Sequence, residues 1–321
     1  MTLNEVAAWL KENDRYLIVT HRRPDGDTLA SAAALALGLK ALGKTVYLFP
    51  NAETTPRFDA IATPHFMPEG YAFDHVVTVD TASEDMFAIG AEELAGRVCL
   101  AIDHHPSNTF YARMTYVDSV CAACGEIIYQ LLDILGVPIT QEIALSLYVA
   151  IATDTGCFCY ANTTADTHRI AAALMDTGID TGEINKALFR SKTRARVELE
   201  GMILSSLKFY FGGDVCVVTI TQDMLESSQA TDNDTDDIAS IASGIDGVRV
   251  GITIRENGDG TCKVSVRTTP DVDANAICAR FGGGGHAMAA GCTIASPVED
   301  VRRALLDELK HHLLCPSGGA V

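Results

Sequence analysis

The sequence predicts an α/β protein with two domains: a parallel-sheet domain with helices on both faces, a connecting helix, and a smaller mixed α/β domain at the C-terminus. The chain has 321 residues, more than the ~100 to 200 residues of a typical domain. In its first half, apolar strand-like runs alternate with helical segments, as in βαβ units. Beyond residue 210, strand-like runs are separated by turn residues instead, as at Asn257 to Gly260.

The first domain is expected over residues 1–190. Leu3, Val6, Ala7 and Leu10 recur at helical spacing, so residues 2–12 should form an amphipathic helix before the first strand. An alanine-rich helix closed by Gly43 should then lead to the second strand, which makes a β-α-β unit. The predicted strands are 16–20, 45–49, 75–80 and 97–102. The predicted helices are 2–12, 28–42, 84–94, 123–135, 141–152, 165–177 and 181–189.

Residues 191–210 are expected to connect the domains through a helix over 193–207, which contains helix formers and no proline. The second domain should cover 211–321. Its predicted strands are 214–220, 248–254 and 262–267, followed by a terminal helix over roughly 297–314. The acidic stretch 232–237 resembles a calcium loop, but Asp237 and Ser243 occupy the positions that require Gly and Glu. A solvated loop before a helix starting at 236 is the better interpretation.

Composition and charge limit the classes of function. A net charge of −18 argues against a surface that grips long nucleic acid, because such affinity depends on Lys and Arg neutralising phosphates. Small anions remain compatible if divalent cations supply the positive field. There is no leader-like N-terminus and no long uncharged apolar run, and ten cysteines suit a reducing compartment. We therefore expect a cytoplasmic protein that does not enter a membrane.

Acidic and imidazole side chains follow four apolar runs. The runs 17–20, 76–79 and 98–101 lead into His21, Asp80 and Asp103, and the run 147–153, taken here as a strand, leads into Asp154. Ligands of open α/β sheets bind beyond the carboxyl ends of the strands. A two-metal ligand set is therefore expected from His21, Asp25, Asp27, Asp80, His104 and Asp154. Mixed imidazole and carboxylate donors suit Mn²⁺ or Mg²⁺, with Zn²⁺, Co²⁺ or Fe²⁺ as competitors.

These motifs resemble those of a known family. His21-x-x-Pro24-Asp25-x-Asp27, the lone Asp80, Asp103-His104-His105 and Asp154 are similar to the four motifs of the DHH phosphoesterases. Phe281-Gly282-Gly283-Gly284-Gly285-His286, with Ala290-Gly291, resembles the glycine-rich motif of the DHH-associated domain. The resemblance spans almost the whole chain. It is closest to the bacterial group of nanoRNases (oligoribonucleases) and phosphatases of 3′-phosphoadenosine-5′-phosphate (pAp).

The resemblance implies a role for each motif residue. One ion would be held by His21, Asp25 and Asp80, and the other by Asp27, Asp80, His104 and Asp154. Asp103 would orient a histidine, and His105 would contact the phosphate or protonate the leaving oxygen. The substrate-binding residues would be Arg267, Gly282, Gly283, Gly284, Gly285 and His286, with Arg190 as a further candidate. Four successive glycines leave backbone N–H groups free to approach a phosphate.

The resemblance implies hydrolysis of short oligoribonucleotides to mononucleotides, with removal of the 3′-phosphate from pAp as a second activity. Linear dinucleotides such as pApA and pGpG are the alternative substrates. A nucleotide-sensing protein without turnover is a further alternative, disfavoured because the motif residues are intact. The expected partners are short RNA and small nucleotides, not long nucleic acid or a membrane. The direction of attack, the preferred base and a homodimeric state stay open.

The cysteines near these motifs are expected to be structural. Cys121 and Cys124 form a Cys-x-x-Cys pair, but no second pair stands at zinc-site spacing. Cys157 and Cys159 follow Asp154, yet the predicted ligand set is complete without them.

Overall fold

The computed structural model describes residues 1–235 and 238–314, which form two compact units, Met1–Ser191 and a second that begins at Lys192. The predicted start of a helix at 236 and the acidic residues Asp236 and Asp237 lie outside the described residues. Within the described residues, no helix is both long enough and apolar enough to cross a membrane.

The first unit is a parallel α/β structure, as predicted. Its helices are α1 (Leu3–Glu12), α2 (Gly26–Ala41), α3 (Asp59–Ala62), α4 (Cys124–Leu135), α5 (Gln141–Asp154), α6 (Ala165–Met175) and α7 (Thr181–Asn185). Its strands are β1 (Tyr16–Val19), β2 (Val46–Leu48), β3 (His75–Val79), β4 (Val98–Asp103) and β5 (Met114–Val117). They form one sheet in the order β2-β1-β3-β4-β5, and every neighbouring pair is parallel.

Helices α2 and α5 pack against each other at very short range. A Cβ on Gly26 would lie 2.4 Å from Cγ2 of Thr153, so only glycine allows this approach. Residues 143–144 and 146–152 of α5 are buried, and α2 is buried along most of its length. The close packing brings the first turn of α2 beside the last turn of α5.

Two predicted elements of the first unit are wrong. The run 147–153 is the second half of helix α5, not a strand, because a helix buried on all sides shows the same unbroken apolar pattern as a buried strand. The predicted helix over 84–94 is replaced by two short 3-10 helices, Glu84–Met86 and Glu92–Leu94. Gly90 between them has φ +89°, which an α-helix cannot accommodate. This segment packs Phe87 and Leu94 on the face of the sheet opposite α2.

The second unit contains a mixed six-stranded sheet. Its helices are α8 (Arg194–Ser205), α9 (Gln222–Ser228), α10 (Ala239–Ser243), α11 (Ala274–Ala279) and α12 (Val298–Leu314). Its strands are β6 (Lys208–Tyr210), β7 (Val215–Ile220), β8 (Val250–Glu256), β9 (Cys262–Thr268), β10 (Gly284–His286) and β11 (Ala289–Ile294). The order is β10-β11-β9-β8-β7-β6, and only β7 and β8 pair in parallel.

Helix α8, which we expected as a connector, packs into the core of the second unit. Thr193 caps its N-terminus by accepting a hydrogen bond from the N–H of Arg196. Leu199 and Ile203 are fully buried in a cluster with Val218.

Candidate metal centre

Three strands and two helices deliver the predicted ligands. His21, Asp80 and His104 follow the carboxyl ends of strands β1, β3 and β4, and these ends share one edge of the parallel sheet. Asp25 caps helix α2 and Asp27 lies in its first turn. Asp154 is the last residue of helix α5 rather than the end of a strand, so the expectation that every ligand follows a strand is wrong.

The six side chains converge, and Asp80 lies near both histidines. Nε2 of His104 lies 3.4 Å from Oδ1 of Asp80, 3.6 Å from Oδ2 of Asp154 and 3.9 Å from Oδ2 of Asp27. Nε2 of His21 lies 3.8 Å from Oδ1 of Asp25 and 3.9 Å from Oδ2 of Asp80. His21, Asp25 and Asp80 form one group with the spacing of metal ligands, and Asp27, His104 and Asp154 form another.

Both histidines have their Nδ1 atoms occupied by backbone carbonyls. Nδ1 of His21 lies 2.8 Å from the carbonyl oxygen of Arg22, and Nδ1 of His104 lies 3.1 Å from that of Cys121. A carbonyl oxygen only accepts, so Nδ1 carries the proton in each ring. In a neutral ring, Nε2 then presents its lone pair to the carboxylates, which is the tautomer that binds a metal ion.

Asp27 is held by the N-terminus of helix α4. Its carboxylate accepts the N–H groups of Cys124 at 2.6 Å and Gly125 at 3.0 Å, together with the hydroxyl of Ser31 at 2.7 Å. The positive end of the α4 dipole favours a negative charge there. Burial nevertheless raises the pKa of Asp27 well above its usual value, and the carboxylates of Asp154 and Asp25 raise it further.

Asp80 lacks the partner that a buried carboxylate requires. It is only 1% exposed, and its Oδ1 has no hydrogen-bond donor among the described residues. Burial raises the pKa of Asp80 well above its usual value, and the charge of Asp27 adds to this effect. Its backbone has φ +55°, a conformation that Asp tolerates better than most residues. An unpaired buried carboxylate among other carboxylates fits a bound cation, so the donor set suits divalent metal ions.

Both carboxylate oxygens of Asp103 take part in hydrogen bonds, which indicates a role other than binding a metal ion. Its Oδ1 accepts the N–H groups of His104 and His105 and lies 2.8 Å from Nδ1 of His105, while Oδ2 accepts Nδ2 of Asn108 at 2.7 Å. Burial alone would raise the pKa of Asp103, but the hydrogen bonds from His105 and Asn108 hold it below its usual value. The hydrogen bond with Asp103 raises the pKa of His105 in turn. Asp103 thus orients His105.

Sequence reasoning missed Asn108, Ser31 and the backbone groups that support the ligands. Asn108 stands five residues after Asp103, and no spacing rule connects an amide to that carboxylate. The start of helix α4 was predicted within one residue, but the pairing of its N–H groups with Asp27 needed the tertiary packing.

The neighbouring thiols, Cys121 and Cys124, are half-buried and buried, respectively. Burial raises the pKa of Cys121 to about 12 and that of Cys124 well above its usual value. The Sγ of Cys124 donates to the carbonyl of Ile102 at 3.6 Å. These contacts agree with a structural role.

The backbone N–H groups of the glycine segment in the second unit make more hydrogen bonds than expected. The N–H groups of Gly282, Gly283 and Gly285 donate to Ala279 O, Cys278 O and Oδ1 of Asn275 at 3.0 to 3.1 Å. A Cβ on Gly283 would lie 2.2 Å from the carbonyl of Gly291, and one on Gly285 would lie 2.5 Å from that of Ala289. The expectation that these three N–H groups are free is wrong, because close approach to the next strand explains the glycines.

The remaining predicted residues are accessible. Gly284 and His286 lie on the exposed edge strand β10. Arg267 lies on β9, and strand β11 pairs with both β9 and β10 and lies between them in the sheet. Arg190 of the first unit is exposed and ends a π-helix, Lys186–Arg190.

Comparison with known proteins agrees with this architecture. Residues 15–151 match the DHH family N-terminal domain and residues 212–313 match the DHHA1 domain. The bifunctional oligoribonuclease and PAP phosphatase NrnA of Thermus thermophilus is 34% identical over 285 residues, which cover 86% of this chain and 83% of that protein. The protein of the same name from Bacillus subtilis is 26% identical over 287 residues, covering 88% and 90%.

A solved structure has the same fold. The exopolyphosphatase-related protein of Bacteroides fragilis superposes with a TM-score of 0.88 at 22% identity and covers 97% of this chain and 96% of that one. The two family matches agree with the long alignment with the Thermus protein and with the convergence of the motif residues. This chain therefore belongs to the DHH phosphoesterase family, with a C-terminal DHHA1 domain.

Proposed function

We propose that this chain is a metal-dependent phosphoesterase that hydrolyses short oligoribonucleotides to mononucleotides and removes the 3′-phosphate of pAp. The observation that carries the proposal is the alignment through both domains with a relative named for these two activities. The carboxylate and imidazole cluster supplies the chemistry that such a reaction needs.

In this proposal, His21, Asp25 and Asp80 hold one divalent cation, and Asp27, Asp80, His104 and Asp154 hold the other, with Mn²⁺ as the preferred ion. When bound, the two cations neutralise the charge of the phosphate and acidify a water molecule. Asp80, His104 and His105 also lie within ligand distance of one another. We assign His105 no metal because its Nδ1 is engaged by Asp103.

His105 contacts the substrate in this scheme. With Nδ1 bonded to Asp103, its Nε2 is the ring atom able to donate a hydrogen bond to the phosphate or a proton to the leaving oxygen. Its side chain is 38% exposed, compared with 12% for His104, so a substrate can reach it. Asn108 fixes Asp103, and through it the His105 ring.

The proposed activity is tested by time-resolved analysis of the products from end-labelled RNA. Short oligoribonucleotides, pAp, pGpG and pyrophosphate are compared in the presence of Mn²⁺. We expect mononucleotides from the short RNAs and AMP from pAp, and the order of the products gives the direction of attack. Turnover of pGpG alone would favour the dinucleotide alternative, and binding with no turnover of any substrate would favour a sensor.

We also propose that Arg267 and His286 bind a substrate phosphate. Arg267→Ala should raise KM for a dinucleotide roughly 10- to 100-fold, because a hydrogen bond to a charged group is lost in the ground and transition states alike. Bound metal should be unchanged. Lys263→Ala is the matched control: Lys263 is exposed on the same face of β9 and should not affect KM.

The acidic surface should also limit substrate length. It offers a long RNA few additional phosphate contacts, so activity should fall steeply beyond a few nucleotides. A long RNA degraded as fast as a dinucleotide would contradict this expectation.

For the Arg267→Ala prediction, an unchanged kcat/KM would show that Arg267 does not bind a substrate phosphate.

A further inference from the structure

An exposed aromatic ring lies in the turn that follows Asp154, one of the proposed metal ligands. Tyr160 is 62% exposed, yet its ring lies against Gly156, two residues beyond Asp154. A Cβ on Gly156 would lie 2.4 to 2.7 Å from three atoms of that ring. The ring therefore covers the glycine on one side while much of its surface remains open to solvent.

The turn that presents Tyr160 is tightly specified. Helix α5 ends with the N–H of Cys157 donating to the carbonyl of Ala152 at 2.7 Å, a Schellman-type closure with Gly156 at φ +54°. Cys157 and Phe158 follow at φ +56° and +64°. Non-glycine residues in this region carry a conformational cost that persists only where the surroundings impose it.

Buried Thr155 holds this conformation. Its carbonyl accepts the N–H groups of Cys159 at 2.9 Å and Tyr160 at 3.0 Å, and its hydroxyl accepts the N–H of Phe158 at 3.1 Å. The backbone of the turn is thus fixed, and with it the point from which the Tyr160 side chain projects.

The turn is also hydrogen-bonded to Asp154 and to the segment whose carbonyl contacts the His104 ring. Nδ2 of Asn162 donates to the carbonyl of Asp154 at 3.1 Å and to that of Ala122 at 3.0 Å. Ala122 follows Cys121, whose carbonyl accepts Nδ1 of His104. These hydrogen bonds hold the turn against the backbone of Asp154 and against the segment that contacts His104.

We propose that the ring of Tyr160 is a stacking platform for the nucleobase of the nucleotide whose phosphate lies at the metal centre. The inference rests on the proposed function and names a specificity determinant for it. An open aromatic face attracts a flat base regardless of its hydrogen-bonding pattern. The chain carries a net charge of −18, which disfavours a further phosphate away from the cations, so the neutral base is the part of a nucleotide that suits this position.

The test compares a ligand that has a base with one that lacks it. Binding of AMP and of ribose 5-phosphate is measured by calorimetry in Mn²⁺ for the wild type, Tyr160→Ala and Tyr160→Phe. Tyr160→Ala should weaken AMP binding roughly 5- to 100-fold and leave ribose 5-phosphate binding unchanged. Tyr160→Phe retains the ring and should bind AMP like the wild type. Phe209→Ala is a control for the loss of an exposed ring. Phe209 is 52% exposed, but it lies in the second unit on β6, the edge strand at the opposite side of the sheet from β10.

Hydrolysis of pAp by the same proteins separates this inference from the proposed function. A rise in KM with unchanged kcat in Tyr160→Ala supports stacking, since stacking contributes equally to the ground and transition states. Equal losses for AMP and ribose 5-phosphate, or no loss for either, would overturn the stacking role. So would a wild type that binds the two ligands equally well. Wild-type protein that hydrolyses neither pAp nor short RNA would instead overturn the proposed function, whatever the binding data.

Discussion

Asp80→Asn is expected to abolish hydrolysis of every phosphoester substrate, because Asp80 is the one carboxylate assigned to both proposed ligand groups. Asn has almost the same shape and tolerates the φ of +55° at this position, so the fold should persist. The loss of a charge from both groups should lower the bound metal as well as kcat, which elemental analysis and steady-state kinetics measure together.

The same variant has a second expected effect, in the absence of metal. Asp80 is buried beside Asp27, and desolvation and repulsion between the carboxylates destabilise the metal-free fold. Asp80→Asn should therefore melt at a higher temperature than the wild type without metal. Added Mn²⁺ should raise the melting temperature of the wild type and have little effect on the variant.

Asp74→Asn is the matched control for Asp80→Asn. Asp74 directly precedes strand β3, and Asp80 directly follows it, so both ends of one strand receive the same change. The carboxylate of Asp74 pairs with Arg15 at 2.6 Å on the surface, where such pairs contribute little to stability. The Asp74→Asn variant should retain wild-type turnover and metal content. Full turnover in Asp80→Asn would contradict the assignment of Asp80 to both ions.

His105→Ala is expected to lower kcat roughly 10²- to 10⁴-fold, the range typical for loss of a positioned proton donor or acceptor. The bound metal should stay at the wild-type amount, because Nδ1 of His105 is engaged by Asp103 and its Nε2 is assigned to the substrate. Metal analysis beside kinetics distinguishes the two roles. Loss of one metal equivalent would make His105 a ligand, in the group that it forms with Asp80 and His104.

Much of the centre was predictable from the sequence because parallel strands end at a common edge. His21, Asp80 and His104 follow apolar runs, and one geometric rule brings them together. Asp154 was predicted as a ligand candidate for the wrong structural reason. The sequence predicted both a helix over 141–152 and a strand over 147–153, because helix α5 is buried on nearly all sides and an unbroken apolar run fits either element. The helix is the one observed.

The parts that the sequence did not predict depend on contacts between distant segments. The N–H groups of Cys124 and Gly125 bond Asp27 across 97 and 98 positions of sequence, which no local pattern encodes. In the second unit, the glycine composition suggested open N–H groups. The packing of Gly283 and Gly285 against β11 explains the same residues by steric exclusion of a Cβ.

The proposed two-ion centre is tested most directly by how many divalent ions the wild-type chain holds and by whether turnover requires them. The decisive measurement is a titration of metal-free protein with Mn²⁺, in which bound metal per chain and hydrolysis of a short oligoribonucleotide are followed in parallel. The two proposed ligand groups, with Asp80 assigned to both, predict that binding saturates at two equivalents and that activity reaches its plateau with the second. Full activity at one equivalent, or in metal-free protein with a chelator present, would contradict a two-ion centre built from these six residues.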